Sequence, residues 1–125
     1  MDENKLSNMI VGAAIEVHRL LGPGLLESTY EECLCYELSS NKILFERQAP
    51  MHVVYKGIQL DCGYRIDILV DKKVILELKS VAEIQPIHRA QLLTYLKLSG
   101  LKLGMLLNFN VQLMKDGINR FVNNL

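Results

Sequence analysis

The chain carries no net charge: 14 Lys and Arg balance 14 Asp and Glu over 125 residues. That excludes the overall basic excess by which many proteins hold nucleic acid, and leaves room only for a local patch. Its three cysteines, Cys33, Cys35 and Cys62, are odd in number and lack CxxC spacing, which argues against a zinc site or an iron–sulfur cluster. Reduced structural thiols in a cytoplasmic protein are the expectation. No run approaches the ~20 apolar residues of a membrane helix, so no membrane partner is expected. Met1-Asp2-Glu3-Asn4 is acidic and polar, unlike a signal peptide. There is no Gly-rich phosphate loop, Rossmann fingerprint, internal repeat or low-complexity stretch, and no serine or thiol is set up as a nucleophile.

What is there is an ordinary globular profile, with 50% hydrophobic and 22% charged residues, in a length that suits one domain over 1–125. Leu6, Met9, Ile10, Ala13, Ala14, Val17, Leu20 and Leu21 recur at three- and four-residue intervals. They predict a helix over about 5–21, closed by Gly22-Pro23-Gly24, with His18 at the edge of the apolar stripe. A second helix is predicted over about 25–40. Ile43 to Ala49, Met51 to Tyr55 and Ile58 to Cys62 read as short strands, broken by Pro50 and by Lys56-Gly57. Pro86 opens a third helix that Gly100 closes. Leu101 to Phe109 reads as a buried strand, and Val111 to Met114 with Ile118 to Val122 as a final hairpin.

The most informative stretch runs from Tyr64 to Ser80, two apolar runs around Asp71-Lys72-Lys73, the pattern of a β-hairpin. Ile66, Ile68 and Val70, then Val74, Leu76 and Leu78, are expected to share one face, because side chains alternate along a strand. A three-residue loop at 71–73 keeps them together and sets Asp67 across from Glu77, with Lys79 one step along on the same face. Two facing carboxylates repel unless a cation lies between them. Buried charge must be paired or hold a metal.

Two other positions break the apolar pattern. Glu27 falls among Tyr30, Leu34 and Leu38 on the second helix, where it either caps the first turn or points toward the hairpin carboxylates. On the third helix His88, Gln91, Tyr95 and Ser99 form a polar stripe bordered by leucines, which suggests side chains reaching for something polar. Strands apolar on both faces need cover on both sides. The expected architecture is therefore α/β, a three-layer α/β/α sandwich around a mixed β-sheet.

Facing carboxylates suit a hard cation, Mg²⁺ or Mn²⁺, and a neighbouring lysine can orient a bound water. Those parts suit hydrolysis of a phosphodiester. The competing use of Asp67, Glu77 and Lys79 is a structural ion-pair cluster. Asp67 followed by Glu77-Leu78-Lys79 resembles the PD-(D/E)xK nuclease signature. Gly24-Leu25-Leu26-Glu27-Ser28-Thr29-Tyr30 is similar to the motif of the GxxExxY protein family within that superfamily, and Gln91-x-x-x-Tyr95 resembles the QxxxY element of RecB-type exonucleases. The resemblance runs from about Ile10 to Val122. It implies a restriction-endonuclease-like core in which Asp67, Glu77 and the Leu78 carbonyl ligate the metal and Glu27 completes or orients its shell. Lys79 would then position the attacking water, and Gln91, Tyr95 and, less directly, His88 would contact nucleic acid or steady the site. The implied activity is a Mg²⁺-dependent nuclease acting on DNA. The alternative is a nucleic-acid-binding or assembly module that keeps the fold without useful catalysis. So small a neutral domain has little surface to grip a duplex, which makes a homodimer or a partner protein a further expectation.

Overall fold

The computed structural model describes all 125 residues. Helices α1 (Glu3–Leu21) and α2 (Glu27–Ser40) precede strands β1 (Phe45–Tyr55), β2 (Ile58–Val70) and β3 (Val74–Lys79). Helix α3 (Pro86–Ser99) leads into β4 (Leu103–Asn108), a 3₁₀ turn (Met114–Gly117) and β5 (Ile118–Val122). The sheet order is β1-β2-β3-β4-β5. Every neighbouring pair is antiparallel except β3–β4, whose parallel pairing requires the crossover that α3 supplies.

Helix boundaries follow local chemistry. Asp2 caps α1 by accepting from the Lys5 N–H at 2.8 Å. Gly22 and Gly100, at φ 70° and 73°, end α1 and α3 in the left-handed region that glycine enters without strain. Helices α1 and α2 bury Leu6, Ile10, Val17, Tyr30, Leu34 and Leu38 on one face of the sheet, against Ile68, Val70, Val74, Leu76 and Leu78. Helix α3 packs Leu92, Tyr95 and Leu96 on a second cluster with Ala49, Met51, Ile66, Ile75 and Leu106. Strands β3 and β4 are thus apolar on both faces because each face has its own helical cover.

The β2–β3 hairpin has the register read from its sequence: Ile68 pairs with Leu76, Leu69 with Ile75 and Val70 with Val74. Asp71 and Lys72 turn it in the left-handed region, and the Lys73 N–H closes it on the Val70 carbonyl at 2.9 Å.

Three expectations are corrected. The short strands of 43–62 are instead two long ones, and β1 runs straight through Pro50. Proline is tolerated there because β1 is an edge strand. Ile66 does not share the face of Ile68. It lies past Gln48, whose φ of 49° kinks β1 where Asp67 would be paired, and it packs under α3. The final hairpin is absent. Val111 instead accepts from His18 Nε2 at 2.6 Å, and Met114 is buried in the core beneath α1, leaving β5 to pair with β4.

Candidate active site

Glu77 is a carboxyl in the middle of a strand that is otherwise apolar, only 8% exposed. Burial pushes its pKa up to about 9, aided by the charge of Asp67 and a hydrogen bond between the two carboxyls, while Lys79 pulls the other way. Without a cation, Glu77 is therefore protonated at neutral pH. Asp67 is fixed by accepting the Leu78 N–H at 2.8 Å. The two acids thus meet where β2 and β3 splay past their last pairing.

Lys79 makes no salt bridge with either acid. The ion-pair cluster weighed from sequence therefore does not form. Glu77 Oε1 is buried without any hydrogen-bond partner. Such an orphaned oxygen is costly and fits a hard cation, whose coordination would satisfy it. The residues present fit Mg²⁺ or Mn²⁺ in donor type, all being oxygen. They do not form a group of three or more ligating side chains.

Glu27 explains that shortfall. It is the first residue of α2, exposed, and its carboxylate accepts from the Ser80 N–H at 3.3 Å. It reaches the end of β3 beside Lys79 without joining Asp67 and Glu77 in one cluster. The whole 24–30 stretch is built to hold it there. Gly24 turns at φ 94°, and Ser80 Oγ donates to the Leu25 carbonyl at 2.6 Å. Tyr30 OH donates to the Gly22 carbonyl at 2.6 Å and accepts from the Leu25 N–H at 3.1 Å, with its ring stacked on Phe109 at 4.5 Å. An open hollow lined by Leu25, Leu26, Glu27, Ser28 and Ser80 results.

From the other side α3 contributes Tyr95, whose hydroxyl pKa is raised first by burial and then by the charges of Glu77, Tyr64 and Asp67. Gln91 is exposed and donates to Tyr95 OH at 3.1 Å. The rest of the polar stripe is used at the helix ends. His88 Nδ1 accepts from the Gln85 N–H at 3.0 Å in a capping box, and Ser99 Oγ donates to the Leu96 carbonyl at 3.3 Å.

A family model of the PD-(D/E)XK nuclease superfamily matches residues 4–121. The chain belongs to the PD-(D/E)XK nuclease superfamily. No curated protein and no solved structure matches it. The superfamily's name spells an acid, then an acid, a spacer and a lysine, an order that Asp67 and Glu77-Leu78-Lys79 follow. Its three helices and five-stranded mixed sheet are consistent with that nuclease fold. No helix is long and apolar enough to cross a membrane.

Sequence reasoning missed Asn108, which faces Lys79 in the parallel β3–β4 register. Buried at the end of β4, its carboxamide accepts from the Val81 N–H at 3.1 Å and donates to the Val81 carbonyl at 3.0 Å. It so adds one rung to the ladder and pins the backbone just after Lys79. A polar residue closing an apolar run reads equally well as an ordinary strand end. A cavity of about 650 Å³ beside His18, Gly22 and Leu113 is lined by no acid and lies apart from the carboxylates.

Proposed function

We propose that this nuclease-superfamily chain is a Mg²⁺- or Mn²⁺-dependent phosphodiesterase acting on DNA, of the GxxExxY type, built as one domain with a three-layer restriction-endonuclease-like core. The observation that carries the proposal is the unpartnered, buried Glu77 Oε1 beside Asp67, with an unpaired Lys79 on the same strand. Asp67, Glu77 and the Leu78 carbonyl would hold the cation, and Glu27 would orient water at its edge. When bound, the cation neutralises phosphoryl charge and lowers the pKa of water. Lys79 positions the attacking water. Tyr95, kept protonated by its surroundings, and Gln91 donate hydrogen bonds toward the substrate backbone, and His88 holds the start of their helix. Three free cysteines support a cytoplasmic setting.

A second reading, a nucleic-acid-binding or assembly module without turnover, is favoured by the convergence of only two carboxylates. The two separate on incubation with linear and circular DNA and with RNA, in Mg²⁺ or Mn²⁺ against chelator, beside Asp67→Ala and Lys79→Ala. Metal-dependent cleavage lost in both variants is expected. Cleavage that persists in both would sink the assigned site, and absence of both cleavage and metal binding would favour the second reading.

A further inference from the structure

The β1–β2 hairpin extends past the body of the protein: none of residues 58–65 is buried, and Tyr55 and Ile58 at its tip are each 61% exposed. Its two faces differ. Val53 pairs with Leu60 and Tyr55 with Ile58, and Met51 with Tyr64 nearer the body, so these apolar side chains fall on one face by alternation. That face meets α3 at Tyr95, whose hydroxyl feels the charges of Glu77 and Asp67. A cavity of about 260 Å³ is lined by Met51, Val53 and Tyr64 on one side and by Ile87, Gln91 and Tyr95 of α3 on the other. Tyr64 meets Tyr95 edge to face at 6.2 Å. Three of the five tyrosines of the chain, Tyr55, Tyr64 and Tyr95, thus lie along one surface, with Tyr95 at its site end.

We propose that this surface docks single-stranded nucleic acid, its bases stacked on Tyr55 and Tyr64 and its backbone led to the Asp67–Glu77 site. The substrate class would then be single strands or frayed ends in preference to intact duplex. The inference rests on the nucleic-acid reading above but not on turnover. Charge selects this occupant over a second copy of the chain. Residues 51–65 and the exposed side of α3 carry Lys56, Arg65 and Lys97 against Asp61 alone, a local excess of +2 in a chain whose total is zero, while Arg89 lies apart over the Phe121 ring of β5. Two such surfaces would repel each other, whereas phosphates are attracted. Exposed aromatic rings beside cations are the usual equipment for bases without sequence readout, and Lys56 lies 5.5 Å from the Tyr55 ring.

The test is fluorescence anisotropy with a labelled 20-nucleotide oligothymidylate and a mixed-sequence duplex of roughly equal length, the span of a few stacking sites, in chelator so that no cleavage intervenes. Wild type should bind the single strand at least tenfold more tightly than the duplex. Tyr55→Ala should weaken single-strand binding roughly tenfold, and Lys56→Glu should weaken it and flatten its salt dependence. Both substitutions are on the exposed tip, and circular dichroism checks that the fold is kept. Equal affinity for duplex, or unchanged affinity in Tyr55→Ala, would overturn the proposal. So would a dimer in sedimentation that Tyr55→Ala dissociates, since a second copy would then cover the arm. Single-strand binding without cleavage under any metal would sustain this docking surface and remove the nuclease reading; duplex cleavage without single-strand preference would do the reverse.

Discussion

Glu77 concentrates the chemistry of the site because a carboxyl with a pKa near 9 and one unpartnered oxygen is poorly served by the fold alone. Its raised pKa has a definite sign. The stabilisation from burying the neutral acid is complete below the unfolded value of about 4.5 and is lost as pH rises through about 9. In chelator, the melting temperature should therefore fall between pH 5 and pH 9, and Glu77→Gln should flatten that fall. Cation binding should also expel the proton, so titration calorimetry of Mn²⁺ at pH 7 in buffers of different ionisation enthalpy should register about one proton released, and none in Glu77→Gln. At Tyr30 the prediction is structural. Tyr30→Phe keeps the stack on Phe109 but removes both hydroxyl bonds to the 22–25 turn, at about 1–2 kcal/mol in urea unfolding, and loosens Glu27.

Among the elements, the β2–β3 hairpin was the most legible, because two apolar runs of one parity around a polar triplet admit a single register. That register alone predicted the meeting of Asp67 and Glu77. The helices were legible through their periodicity and their Gly and Pro stops. Three things were not. The kink at Gln48, which turns Ile66 to the other face, has no marker in a residue that any strand could hold. Glu27 lies at the edge of the site because a tyrosine clamp and a serine three strands further along the chain hold its turn, contacts that helical spacing cannot encode. The 3₁₀ turn before β5 depends on space. A Cβ on Gly117 would stand 1.9 Å from the Asn108 carbonyl oxygen, a contact no glycine-rich sequence pattern announces. Gly117→Ala should accordingly cost about 3 kcal/mol by displacing the end of β4, and unfolding in denaturant measures it. Because Asn108 pins the backbone after Lys79, the same substitution should also lower metal-dependent cleavage.

For the whole molecule, a neutral chain is reconciled with a polyanionic substrate by segregating its charge. The β1–β2 arm and α3 carry the positive excess, while the acids Glu31 and Glu32 are tied to Arg47 on the α2 side. The sheet separates the two helical layers and presents Asp67 with Glu77 where β2 and β3 splay past their last pairing. The central claim is that these acids hold a cation while Lys79 acts on the water, two roles that a single variant can separate. Lys79→Ala should bind Mn²⁺ within a few-fold of wild type by calorimetry, yet cleave single-stranded DNA at least ~100-fold more slowly, the scale of one positioned proton-handling group. Undiminished cleavage, or cleavage and Mn²⁺ affinity lost together, would contradict it.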